Sequence, residues 1–108
     1  MSEYVQVQVS VPSREEGLRI TQSAVAARLA ACAQVLGPIT STYWWRDEVQ
    51  VDEEYLLLLK TPRTCYSDLE SHLHQAHPYE VAEIIATPIE AGLSDYLGWL
   101  DEETRVAG

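Results

Sequence analysis

Hydrophobic and polar positions alternate from Tyr4 to Val11: Val5, Val7, Val9 and Val11 on one side, Gln6, Gln8 and Ser10 on the other. A period of two marks a strand with one buried face. Pro12-Ser13 breaks it, and Ser13 with Glu16 has capping-box spacing, which predicts a helix from here. Leu18, Val25, Leu29 and Cys32 share one helical face, Arg14, Arg19 and Arg28 lie largely off it, and the helix runs out near Ala33. Past Gly37-Pro38, the β-branched and aromatic residues of Ile39 to Trp45 predict a strand. Arg46-Asp47-Glu48 reads as a short polar turn, and Val49 to Lys60 as the returning strand. That strand ends in Leu56-Leu57-Leu58-Leu59, apolar on both faces, as a central strand covered on two sides would be.

Pro62 stops it. Cys65, Leu69, Leu73 and Ala76 mark a second amphipathic helix. Pro78 ends that helix and pushes His77 into extended backbone, so His77 is held at a rigid corner. A strand from Val81 to Ile89 follows, with Pro88 assigning its end to an edge or a bulge. After Gly92, Ser94 is placed to cap a short last helix bearing Tyr96, Leu97 and Leu100.

This order predicts an α+β fold: a ferredoxin-like βαββαβ sandwich with a long hairpin between its second and third strands and a C-terminal helix. Residues 1–108 form one domain by size. The hairpin strands exceed the ordinary length of about 5–6 residues. Their surplus should project with Trp44 and Trp45 on it, and exposed tryptophans on a ribbon imply a partner surface. The topology also brings the end of the first helix and the start of the second to one sheet edge, where Cys32 and Cys65 could be neighbours.

The net charge of −10, with one lysine and six scattered arginines, argues against nucleic acid and against an anionic membrane surface as partners. The first ten residues have no charged n-region and no long apolar run, and no span reaches membrane-helix length. Both readings place the protein in the cytoplasm without membrane insertion. Two cysteines make neither a disulfide framework nor a zinc pattern. No nucleophile motif, phosphate loop or HExxH helix is present, so no catalytic residue is assigned and the chain reads as a non-enzyme.

His72 and His74 point to different helix faces and read as surface residues. His77, fixed before Pro78 and Tyr79, is a candidate metal ligand or proton carrier, and equally a structural hydrogen-bonding group. Lys60 could anchor an anion, pair with Glu80 or Glu83, or reach solvent. Tyr43, Trp44 and Trp45 could stack on a ligand, but more often form a subunit contact.

RLAACAQV, TSTYWWRDEV, LLLLKT, HPYEVAEIIATPI and SDYLGWLDEETR together resemble, in order and spacing, the CutA family of divalent-cation-tolerance proteins, across nearly the whole chain. The resemblance implies a subunit similar to PII signalling proteins and a homotrimer, the hairpin and C-terminal segment reaching across subunits. It implies a role in the response to metal ions, copper among them, without a defined activity. It also implies a polar ligand cleft between subunits at Tyr43, Trp45, Lys60, Thr61, His77, Tyr79 and Glu83, with a divalent cation at His77. Two proposed copper ligands of the family are replaced here, by Val9 on the first strand and Ala76 before His77. A PII-like sensor taking an anionic metabolite at Lys60, and an unknown protein partner, are the other readings.

Overall fold

The computed structural model describes residues 3–105. Its elements are β1 (Tyr4–Val11), α1 (Arg14–Ala26), β2 (Cys32–Trp45), β3 (Glu48–Pro62), α2 (Tyr66–Ala76), β4 (Ile84–Ile89) and α3 (Ser94–Glu102). All strand pairs are antiparallel, in the order β2-β3-β1-β4. This is the predicted ferredoxin-like arrangement, with Pro88 on an edge strand where its missing N–H breaks no ladder.

The strict alternation of β1 decides which face is buried. Val5, Val7, Val9 and Val11 stand beside Leu57 and Leu59 of β3. Ile20 and Ala24 of α1 and Leu69 and Leu73 of α2 pack onto them to form the core. Gly17 lets α1 approach closely: a Cβ there would come within 2.9 Å of Leu57 Cδ2. The buried face of α1 is therefore Gly17, Ile20, Thr21 and Ala24. Leu18 and Val25, on the predicted face, are only half-buried.

Ser13 does cap α1, its Oγ accepting from the Glu16 N–H at 3.1 Å. The helix ends earlier than the pattern suggested, at Ala26 rather than near Ala33. The Leu29 N–H donates to the Ala24 carbonyl and the Arg28 N–H to that of Val25, with Arg28 at φ 64°. This is a Schellman stop with an arginine where glycine is usual. It turns the chain into β2, so Cys32 is the first residue of a strand rather than the last of a helix.

Other boundaries shift for local reasons. The hairpin turn is two residues, Arg46 and Asp47, both at positive φ, and Glu48 already pairs with Trp45. β4 begins at Ile84, not Val81, because Val81 is 80% exposed and pairs with nothing on β1. Ser94 is the first residue of α3 rather than its cap, a position held by Leu93.

The second face of the sheet carries the even-numbered residues of β1 and β3. Opposite partners form rows across it: Gln6 with Lys60 and Thr87, Gln8 with Leu58 and Ile85, Ser10 with Leu56. From β2, Cys32, Gln34 and Leu36 join the same rows. α3 packs at one end, where Tyr4 donates to Asp101 Oδ2 at 2.6 Å and Cys32 Sγ lies 3.2 Å from the Tyr96 hydroxyl. Elsewhere this outer face is open: Leu36 and Ile85 are exposed, and Leu56 and Leu58 are half-buried. The covering expected on both sides of the leucine run is thus present on one side and partial on the other.

β1 pairs β3 only from Tyr55 onward, so Ile39–Trp45 and Glu48–Glu54 form a free two-stranded arm. Seven residues of strand project about 23 Å. The molecule is accordingly elongated, 45 × 25 × 21 Å. One side of the arm shows Trp44, Val49 and Val51, which are 73%, 55% and 62% exposed.

Candidate functional site

His77 follows the last residue of α2 in extended backbone, as Pro78 requires. It is 8% exposed. Its Nε2–H donates to the Ser10 carbonyl at 2.7 Å, and its Nδ1 accepts from the Tyr79 N–H at 3.0 Å. These two bonds fix a neutral ring with its proton on Nε2 and use both nitrogens. The rings of His77 and Tyr79 lie 5.0 Å apart, centre to centre.

Tyr79 brings His77 next to the arm. Burial raises the Tyr79 hydroxyl pKa, and the charges of Glu54 and Asp52 raise it further. Tyr43 donates a short hydrogen bond to Asp52 Oδ2. That bond, then burial and the Asp52 and Glu54 charges, push the Tyr43 pKa up to about 12. Tyr43 and Tyr79 therefore gather around two carboxylates that were not among the sequence candidates, with His77 beside Tyr79. The signal for them was present. Gln50, Asp52 and Glu54 continue the alternation of Leu56, Leu58 and Lys60, so the outer face turns acidic along β3.

The remaining candidates lie elsewhere. Glu83 accepts from Gln8 Nε2 at 3.1 Å on the outer face. Lys60 donates to Gln34 Oε1 at 2.8 Å, not to Glu80 or Glu83. It is six residues along β3 from Glu54, a separation of about 20 Å. Thr61 faces the core, fully buried, and donates to the Leu29 carbonyl at 2.7 Å. Trp45 stands near the arm tip with the Arg46 guanidinium 5.4 Å above its ring. Within one chain, then, the seven candidates divide between the arm and His77 end (Tyr43, Trp45, His77, Tyr79), the Lys60 end, the core (Thr61) and the middle of the outer face, where Glu83 meets Gln8.

Histidines 72 and 74 have local duties. His72 Nε2 lies 2.8 Å from the Ser23 hydroxyl and ties α2 to α1, and His74 Nε2 lies 3.1 Å from the Glu80 carbonyl. Cys32 and Cys65 are both free thiols with separate partners, Cys65 donating to the Arg105 carbonyl at 2.9 Å. No group of three or more His, Cys, Asp or Glu among the described residues is placed to hold a metal ion. A resident copper centre does not fit this donor set: Val9 is an apolar core residue and both His77 nitrogens are engaged.

The family model of the CutA1 divalent ion tolerance protein matches residues 5–103. The chain belongs to the CutA1 family. It is 43% identical over 98 residues to the divalent-cation tolerance protein CutA of Thermus thermophilus, covering 91% of this chain and 95% of that one. It is 42% identical over 99 residues to the chloroplastic CutA 1 of Oryza sativa, covering 92% of this chain and 56% of the relative. The chain thus spans little more than half the length of its plant relatives. The solved Thermus structure superposes with a TM-score of 0.90 at 42% identity, covering 94% of this chain and 98% of that one. The rice CutA1 structure gives 0.92 at 41% identity, covering 94% of each. A CutA structure from Archaeoglobus fulgidus, described as periplasmic, is 31% identical with a TM-score of 0.90, covering 93% of this chain and 97% of that one. CutA1 relatives therefore occupy more than one compartment. Among the described residues no helix is long and apolar enough to cross a membrane.

Proposed function

We propose that this CutA1 chain acts, without catalysis, in the response to divalent metal ions. It works as a cytoplasmic homotrimer with weak cation or small-ligand binding in clefts between subunits. The division of the candidate residues supports this reading. Tyr43 and Tyr79, with His77 beside Tyr79, stand near the acidic end of the β3 outer face and Lys60 at the other, so the candidates of one chain fall into separated groups. A second copy can supply the missing piece, since a rotational assembly sets different parts of one face against each other. The open row of Leu36, Leu56, Leu58 and Ile85 and the exposed aromatic arm supply apolar area for that contact.

The state of His77 supports weak cation binding. A cation reaching Nδ1 has to displace the Tyr79 N–H, because the neutral ring has a single lone pair in the plane and it is in use. Calorimetry with zinc and copper salts tests the reading. The expected result is a small, saturable heat with micromolar or weaker affinity that disappears in His77→Ala. Heats from nucleotides or carboxylates that disappear in Lys60→Ala, with none from metals, would overturn it in favour of an anion sensor.

A further inference from the structure

Glu54 is unexplained by the fold of one chain. It is 8% exposed, yet its carboxylate accepts no hydrogen bond and joins no ion pair among the described residues. No fully enclosed side-chain oxygen or nitrogen there lacks a partner, so this carboxylate keeps a narrow opening to solvent. Around it are Asp52 on the same side of β3, the Tyr79 ring and Tyr43. At so enclosed a residue a charge pair is screened less by water, so a cation reaching this unmatched carboxylate gains more than on an open surface.

Lys60 shows the opposite want. It is the chain's only lysine, and its ammonium meets one neutral acceptor, the Gln34 amide oxygen. Glu54 and Lys60 belong to the same face of the same strand, with Leu56 and Leu58 between them. At about 20 Å apart they are beyond joint side-chain reach within a chain. A strip reading acid, apolar, apolar, base complements a second such strip displaced along it.

We infer that the notch formed by Glu54, Asp52, Tyr43 and Tyr79 receives the Lys60 ammonium of a second copy of this chain. The carboxylates supply charge, and the tyrosine rings shield the pair from water. In a closed ring each chain gives one Lys60 and offers one Glu54, so every pair is used once. The inference rests on the proposed assembly and specifies what registers it. A metal ion is the less suited occupant, since the notch has no third ligand among the described residues.

A charge-exchange cycle tests it. Subunit affinity is measured by sedimentation on dilution for wild type, Glu54→Lys, Lys60→Glu and the double exchange. Each single variant should weaken association at least ten-fold, and the double exchange should recover most of the loss. Glu54→Gln, which keeps the shape, should weaken association with an unchanged far-ultraviolet circular dichroism spectrum. Single variants that associate like wild type, or a double exchange no better than the sum of the singles, would overturn the pairing. So would zinc or free arginine binding to the wild-type assembly that Glu54→Gln abolishes. If wild type is itself a single chain at every concentration, the proposed assembly fails too. If wild type assembles and the exchange recovers nothing, only the pairing fails.

Discussion

The backbone N–H of Tyr79 donates to Nδ1 of His77, two residues before it and across a proline, at 3.0 Å. With the Nε2–H on the Ser10 carbonyl, this makes the imidazole a brace between the end of α2 and the end of β1. Replacing it with alanine leaves a partly buried carbonyl and an N–H without partners. His77→Ala should therefore lower folding stability by about 1–3 kcal/mol. Urea unfolding measures this, and a change within about 0.5 kcal/mol, the usual surface value, would mean the ring is dispensable.

The end of α1 invites a second substitution. Arg28 adopts φ 64° without being glycine, and its exposed side chain pairs with Glu103 at 2.7 Å. An exposed pair of this type is worth about 0–1 kcal/mol. Relief of the left-handed strain is worth about 1 kcal/mol. Arg28→Gly should thus be neutral or slightly stabilising, whereas the β-branched Arg28→Val should lose the pair and keep the strain. Thermal unfolding of the two variants, run side by side, should rank glycine above valine.

Alkaline pH should loosen the fold through two tyrosines. Tyr4 and Tyr43 are both pushed up to about 12, first by the hydrogen bonds they donate to Asp101 and Asp52. The ordinary value, retained by the unfolded chain, is 10.0. Both folded values are raised, so the contribution is fully present below pH 10 and is lost as pH rises through about 12. Denaturant midpoints measured from pH 8 to pH 12 should fall above pH 10. The Tyr4→Phe/Tyr43→Phe variant should start lower and fall less over that window.

The outer face gives a prediction about association alone. Leu58 is half-buried between Gln8 and Gln34, on the side away from the core. Leu58→Asp should leave the subunit's helical signal intact and abolish assembly, because an unpaired charge buried in an apolar contact costs several kcal/mol. Circular dichroism and light scattering on one sample separate the two effects.

Much of this was readable in the residues. The alternation of β1 and the two prolines flanking β3 and α2 set the element order, because each is a local rule that tertiary packing did not override. The stop of α1 was not readable, since an arginine in left-handed conformation leaves no glycine to mark it. Nor was the rotation of its buried face, which depends on how closely Gly17 lets it approach Leu57. At the site, His77 was legible from Pro78, but its two hydrogen bonds depend on Ser10, sixty-seven residues away in sequence. Asp52 and Glu54 share the alternation of β3 with Leu56, Leu58 and Lys60, but that pattern does not bring them to Tyr43 and Tyr79. Only the register of β3 against β1 and β2 sets them on the open face beside Tyr43.

The central claim is that one chain holds an incomplete site on an open sheet face. Sedimentation equilibrium of the wild-type protein over a hundred-fold range of concentration tests it most directly. A single species of three chains is expected throughout. A single-chain mass that persists at the highest concentration would contradict it.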